Sequence, residues 1–369
     1  MMENDRNPEE IESAATEEAD AVRGEELPAD TNEDDANGLP AVSPNCQFSL
    51  QLPFQKVADT SEIISGWQKE WNDGYPGNQI SAEPWRFHSP AFLPGNRLAL
   101  LFEMDEEAYD GHVAVSHVLN RFRVLVYDLG SMEIVQRFAF HSQDMEILTV
   151  LSTPDREGIQ AVVRVSGREK DTWTVLPMVP ENDGGQFEIA PYVKQVLQFP
   201  NGGIVASYTH NDLDRAKTPV AFWAPKDGHY AGGLRAPEDL ECTALAIDKN
   251  GRVWAHLMPT GSIERLGEEK RTFRSVYQGF SAFGLTSDER LMAVSWQGGV
   301  CENRMKLMYR KGGSFETFGK LDFSNLPGRE DPLECSAFGS PVFWGSRFVF
   351  NKDGVLYLFD LDCAAEIWT

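Results

Sequence analysis

Two acidic segments that also contain histidine are the parts of this sequence best suited to chemistry. Calcium and magnesium prefer carboxylate ligands, and histidine can transfer a proton near neutral pH. The same residue types are also usual in the solvated loops of an acidic protein, and both interpretations stay open. The residues are Asp105, Asp110, His112 and His117 in the first segment, and His210, Asp212 and Asp214 in the second.

Trp296 is a further candidate, because it ends an apolar run just before Gly298 and Gly299. An aromatic side chain at such a place can anchor a binding partner. The alternative is a position in the core.

The sequence lacks the short motifs of the common enzyme classes. No GxSxG, GxGxxG, HExxH or phosphate-binding GxxxxGK[ST] pattern occurs in it. Its five cysteines are widely spaced without a CxxC pair, which favours reduced thiols over a zinc site or disulfides. We therefore expect no cofactor and no metal, while a site assembled from distant loops stays open.

An internal repeat supplies the elements that would position these residues. Six turn elements are each followed by an apolar strand, and the strands begin 38 to 61 residues apart. A further apolar run precedes each strand, and a third strand, a tight turn and a fourth strand follow it. Four strands and three turns at this period are typical of a propeller blade. The six repeated strands are residues 98–102, 159–165, 204–208, 253–257, 291–296 and 348–350.

The sequence thus predicts an all-β fold, a β-propeller of six four-stranded blades over residues 87–369. No run of helical period interrupts this region, which argues against alternating strands and helices. Two stacked β-sandwiches are the alternative.

Single strands resemble those of known propeller repeats. Residues 123–129 resemble the end of a WD40-type blade, and residues 286–294 resemble the strand after its inner turn. Residues 246–254 are similar to a blade of the NHL type. The resemblance implies the propeller superfamily, with no single family indicated.

Two segments precede the repeats. Residues 1–45 contain fourteen Asp and Glu, two Arg and no aromatic residue, so we expect a disordered acidic tail. In residues 46–86, the alternating stretch 48–54 predicts a strand that adds to the last blade and closes the ring. Residues 59–72 predict a short helix with Asp59 as its N-cap.

Charge and hydropathy indicate which binding partners and which cellular location to expect. The formal net charge of −24 argues against nucleic acid as a binding partner, because a protein binds its phosphates with clustered Lys and Arg. No signal sequence and no membrane span is recognisable, so the expectation is a monomeric cytoplasmic protein.

Long loops fall on one face of the predicted propeller, where second and third strands join and blades connect. Loop length beyond the connecting minimum often marks a binding site. The favoured hypothesis is a non-catalytic scaffold that binds a protein partner through this loop face. The alternative is a propeller hydrolase, lactonase or lyase that uses the loop histidines and carboxylates, with a bound cation. The long loops are residues 105–119, 210–219, 297–304 and 324–334.

Overall fold

The described part of the chain is almost entirely β-structure. In the described residues, the computed structural model contains 24 strands and one helix. These residues are 54–74, 85–110, 113–143, 145–165, 172–178, 187–190, 193–208, 220–226, 229–235, 241–258, 262–266, 271–275, 280–285, 291–295, 305–311, 314–321, 342–360 and 362.

A strand and a helix open the described chain. They are β1 (Gln55–Asp59) and α1 (Thr60–Gly74). The Asp59 carboxylate accepts the backbone N–H of Glu62 at 3.2 Å, which confirms the predicted N-cap.

The first three sheets each take four consecutive strands, and each strand pairs with its sequence neighbours. The first contains β2 (Trp85–Leu93), β3 (Arg97–Asp110), β4 (Val113–Asp128) and β5 (Glu133–Gln143). The second contains β6 (Met145–Ser152), β7 (Ile159–Val165), β8 (Thr172–Pro177) and β9 (Phe187–Ala190). The third contains β10 (Val193–Gln198), β11 (Ile204–Tyr208), β12 (Val220–Lys226) and β13 (His229–Arg235).

The remaining sheets repeat this order. The fourth contains β14 (Glu241–Ile247), β15 (Val253–Met258), β16 (Ser262–Leu266) and β17 (Arg271–Ser275). The fifth contains β18 (Phe280–Leu285), β19 (Leu291–Ser295), β20 (Met305–Lys311) and β21 (Ser314–Leu321), and a short parallel pairing of β17 with β21 joins these two sheets. The last contains β22 (Val342–Trp344), β23 (Arg347–Lys352), β24 (Val355–Asp360) and, at its outer edge, β1.

The six sheets are the blades of a β-propeller, as the sequence predicts. The first strand of each blade contacts the first strand of the next, and β22 returns to contact β2. We call these six strands, β2, β6, β10, β14, β18 and β22, the inner strands. The six repeated strands of the sequence are β3, β7, β11, β15, β19 and β23, the second strand of every blade.

The core lies between neighbouring blades. Along β3, Leu98 and Leu100 pack towards the last blade and the helix, whereas Ala99 and Leu101 pack towards the second blade. Because side chains alternate between the two faces of a strand, a strand buried on both faces is an unbroken apolar run. This is why the second strands stand out in the sequence.

The ring is closed by a different N-terminal segment from the predicted one. Residues 48–53 lie outside the described residues, and the strand that pairs with β24 is β1, from Gln55↔Leu358 to Asp59↔Val355. A register shift between Lys56 and Ala58 leaves Val57 and Ala58 both buried. A bulge of this kind breaks the strict alternation by which a strand is recognised in a sequence.

The last blade also differs in its first strand. The apolar run that precedes the last repeated strand, residues 335–338, lies outside the described residues, and the strand that pairs with β23 is β22. It has only three residues, too few to show a periodic pattern.

Candidate binding site

The predicted long loop at residues 105–119 is instead a β-hairpin. β3 and β4 pair from Arg97↔Asp128 as far as Asp110↔Val113. The prediction of a loop is therefore wrong here. An acidic stretch without alternating apolar residues carries no strand signal, because the strand is specified by backbone pairing with β4.

This hairpin continues past the end of β2, the first strand of its blade. β3 and β4 have 14 and 16 residues, whereas β11 and β12 of the third blade have 5 and 7. The pairing of β2 with β3 ends at Trp85↔Met104, so the six residues after Met104 continue for roughly 20 Å at about 3.3 Å per residue. We call this extension, residues 105–110 and 113–120, the arm.

The arm carries three of the predicted site residues. Asp105 pairs with Asn120, and Asp110 ends β3 opposite Val113. His117 lies in β4, at the register shift between Glu107↔Val118 and Tyr109↔Ala114. The structure thus places these three residues on one hairpin.

The other predicted site residues lie outside the described residues and stay predictions. They are His112, His210, Asp212, Asp214 and Trp296. The same holds for the predicted loops at residues 210–219, 297–304 and 324–334.

A cavity of about 250 Å³ lies at the centre of the ring, and all six inner strands contribute to its wall. We call it the central cavity. The inner strands all have the same chain direction along the cavity. Each begins at the connection with the preceding blade and ends at the first turn of its own blade. Representative lining residues, one from each inner strand, are Ser89, Thr149, Gln195, Thr243, Phe283 and Trp344.

Gly345 joins the last blade to two others at the end of the inner strands where the first turns lie. Its backbone N–H donates to the carbonyl of Ile247 in the fourth blade at 2.7 Å, and its carbonyl accepts the N–H of Leu285 in the fifth blade at 3.1 Å. A β-carbon on Gly284 would lie 2.7 Å from the Phe343 ring and 2.9 Å from the Gly345 carbonyl. Glycine at position 284 thus permits three blades to meet.

A β-bulge recurs near the other end of the inner strands. Five inner strands contain a register shift after their first few residues, and each shift adds one residue. Leu148, Lys194 and Thr243 also line the central cavity. The added residues are His88, Leu148, Lys194, Thr243 and Ser281.

Two glutamines of β10 join neighbouring blades. The Gln195 amide accepts the N–H of Leu245 at 2.9 Å and donates to its carbonyl at 3.2 Å. The Gln198 amide bonds the N–H and the carbonyl of Ser152 at 2.8 Å each. Inner strands present an edge to the channel, so their backbone groups need such partners. Both amides are therefore occupied by the backbone.

Lys194, Thr243 and His256 form a polar group beside the central cavity. The Thr243 hydroxyl contacts Nδ1 of His256, which is fully buried in β15. Burial, and to a smaller extent repulsion by Lys194, lowers the pKa of His256 to about 4. His256 is consequently neutral at pH 7.

Among the described residues that line the central cavity, Lys194 is the only charged one. Its side chain is exposed, and it forms no ion pair with any residue that the structure describes. Sequence reasoning missed this residue, since the chain shows no pattern that marks the bulged position of β10. The predicted sites came from loop length, which says nothing about the inner strands.

Two further features are absent from the described residues. No group of three or more His, Cys, Asp or Glu there is arranged to hold a metal ion. No helix in that part of the chain is long and apolar enough to span a membrane.

Comparison with known proteins finds likeness only in solved structures. No protein-family model matches the chain, and no curated protein matches it in sequence. A conjectured gluconolactonase shares 13% identity with it at a TM-score of 0.37, over 85% of this chain and 93% of that one.

Two further structures show a similar likeness. The acylaminoacyl peptidase of Pyrococcus horikoshii shares 12% identity at a TM-score of 0.39, over 75% of this chain and only 45% of the peptidase. YCF48 bound to D1 peptide shares 12% identity at a TM-score of 0.39, over 76% of this chain and 79% of that one. At these TM-scores none of the three assigns a function.

Proposed function

We propose that this protein is a non-catalytic propeller scaffold that binds a protein partner through the face bearing the arm. The observation that carries the proposal is the length of β3 and β4, which continue for six residues past the last pair with β2. A hairpin that extends from a rigid blade offers a surface that the blade's own packing does not require.

The composition of the arm indicates the chemistry of the partner. Residues 105–120 contain four carboxylates, Asp105, Glu106, Glu107 and Asp110, and no Lys or Arg. Together with the net charge of −24, this favours a partner with a basic surface, since complementary charge speeds encounter and disfavours wrong partners.

A shortened arm tests the proposal. Residues 107–118 are replaced by Asn-Gly, which suits a two-residue hairpin turn between Glu106 and Leu119, a cross-strand pair in the structure. We expect an unchanged melting midpoint, because the deleted residues lie beyond the pairing with β2. Partners captured by the full-length protein from its native cell should be lost by this variant.

Matched charge variants separate the arm from charge in general. One variant carries Glu106→Gln, Glu107→Gln and Asp110→Asn. The control carries Glu133→Gln, Glu157→Gln and Asp73→Asn, at exposed positions outside the arm. Only the first should weaken binding of the captured partner. Equal effects would reject the arm as the site, and loss of a hydrolytic activity with the first variant would favour an enzyme instead.

A further inference from the structure

We propose that the central cavity binds a small monocarboxylate with an apolar body, and that Lys194 is its counter-charge. This site is separate from the arm and requires no protein partner.

The charge of the cavity supports an anionic ligand. Lys194 is the single charged residue among the described residues of the lining, in a protein whose net charge is −24. At physiological ionic strength, charges more than about 8 Å apart are largely screened. For a ligand bound in the cavity, the charge of Lys194, which lines it, therefore outweighs that of carboxylates beyond this distance. A carboxylate would supply the ion pair that Lys194 lacks among the described residues.

The other polar groups of the wall leave Lys194 as the main contact. Gln195 and Gln198 already use both ends of their amides on the backbone of neighbouring blades. Thr243 contacts His256, which carries no charge that would compete for an anion. Ser89 and Thr149 have hydroxyl groups in the same wall, and that of Ser89 contacts Nδ1 of His88 at 3.0 Å.

The rest of the wall is apolar and limits the size of the ligand. Val150, Leu245 and Phe283 are buried and line the cavity together with Pro90 and Leu148. A volume of about 250 Å³ lies below the roughly 300–1,000 Å³ of pockets for drug-sized ligands. It equals about eight water molecules at roughly 30 Å³ each. A carboxylate on a five-carbon chain, as in hexanoate, or on one aromatic ring, as in benzoate, fits this volume.

Calorimetry on the full-length protein tests the site with hexanoate and benzoate as probes. Each is compared with its neutral amide, hexanamide or benzamide, which has nearly the same shape. We expect each acid to bind at least about tenfold more tightly than its amide, as a charge-assisted hydrogen bond implies. Equal affinity for acid and amide, or no saturable binding of either acid at millimolar concentration, would overturn the proposal.

Substitutions locate the binding. Lys194→Met keeps the length of the side chain without its charge and should lower acid affinity about tenfold or more, whereas Lys194→Arg should retain binding. The control is Lys69→Met, at an exposed position of α1, which should bind as the original protein does. Melting curves establish that each variant is folded. If Lys194→Met does not fold, the proposal is tested by two other results. These are the difference in affinity between acid and amide, and the binding of the acid by Lys194→Arg. Acid binding that survives in a folded Lys194→Met variant would place the ligand elsewhere.

Discussion

The guanidinium of Arg123 lies over the ring of Trp67, with its Cζ atom 4.6 Å from the ring centre. It lies at a similar distance, 4.8 Å, from the Trp85 ring, and the two rings meet edge-on at 5.2 Å. Because Trp67 belongs to α1 while Arg123 and Trp85 belong to the first blade, this contact holds the helix on that blade. Trp67 also packs edge-on against Phe102 at 4.9 Å.

Trp67→Ala should lower the free energy of unfolding by about 3–5 kcal/mol, because it removes a large side chain from the seam between the last and the first blade. Arg123→Met should cost about 0.5–2 kcal/mol, and the double variant should lose less than the sum. Denaturant unfolding measures all three, with Lys69→Ala on α1 as a surface control. Strict additivity would show that Arg123 and Trp67 do not stabilise each other.

Removal of residues 1–59 should lower the melting midpoint far more than removal of residues 1–45. The longer deletion removes β1, leaves the edge of β24 unpaired, and removes Phe54, whose ring lies 5.4 Å from Phe359 and 5.5 Å from Phe350. The acidic segment 1–45 is expected to add no packing. Equal midpoints for the two deletions would mean that β1 does not close the ring.

Gly284→Ala and Gly66→Ala should act in opposite directions. At Gly284 the new methyl group meets the Phe343 ring and the Gly345 carbonyl, so we expect a loss of about 1–3 kcal/mol. At Gly66, inside α1, nothing lies within 4 Å, and alanine should stabilise the helix by about 0.5–1 kcal/mol. Thermal or denaturant unfolding compares the two. A neutral Gly284→Ala would indicate that the three blades do not meet closely at Gly345.

Stability should fall as the pH drops from 7 to 5, by about 2 kcal/mol from His256 alone. The unfolded histidine has a pKa of 6.5, whereas burial lowers the pKa of His256 to about 4, so the unfolded state takes up the proton first. The contribution of neutral His256 to the free energy of unfolding is complete above pH 6.5 and is lost by pH 4. Hydrogen bonds lower the pKa of the Asp155 carboxyl below its ordinary 3.8. The stability that this ionised group contributes is therefore lost only below the pH range in which His256 acts.

The comparison variant for the pH series is His256→Gln, which has no titrating group at this position. The same unfolding measurement at pH 7 and pH 5 should show a smaller decrease in this variant than in the original protein. His88, whose pKa is also lowered, chiefly by burial, is unchanged in both proteins and cancels in the comparison. An equal decrease in the two proteins would show that His256 is not held neutral by the fold.

Local sequence patterns determined the propeller, its six blades and the capped helix. The second strands whose burial the structure describes are buried on both faces, so their residues form apolar runs between turn signals, and this is visible without knowledge of any partner strand. Asp59 and Glu62 are three residues apart, so the cap is also a local feature.

Tertiary structure alone decided which segment closes the ring, the form of the arm and the wall of the central cavity. The bulge at Val57 hides β1 from the alternating pattern. The acidic residues 105–110 become a strand only by pairing with β4. Lys194 and Thr243 line the same cavity because β10 and β14, on separate blades, are placed side by side by closure of the ring. Such neighbours depend on long-range packing, which leaves no periodic signal along the chain.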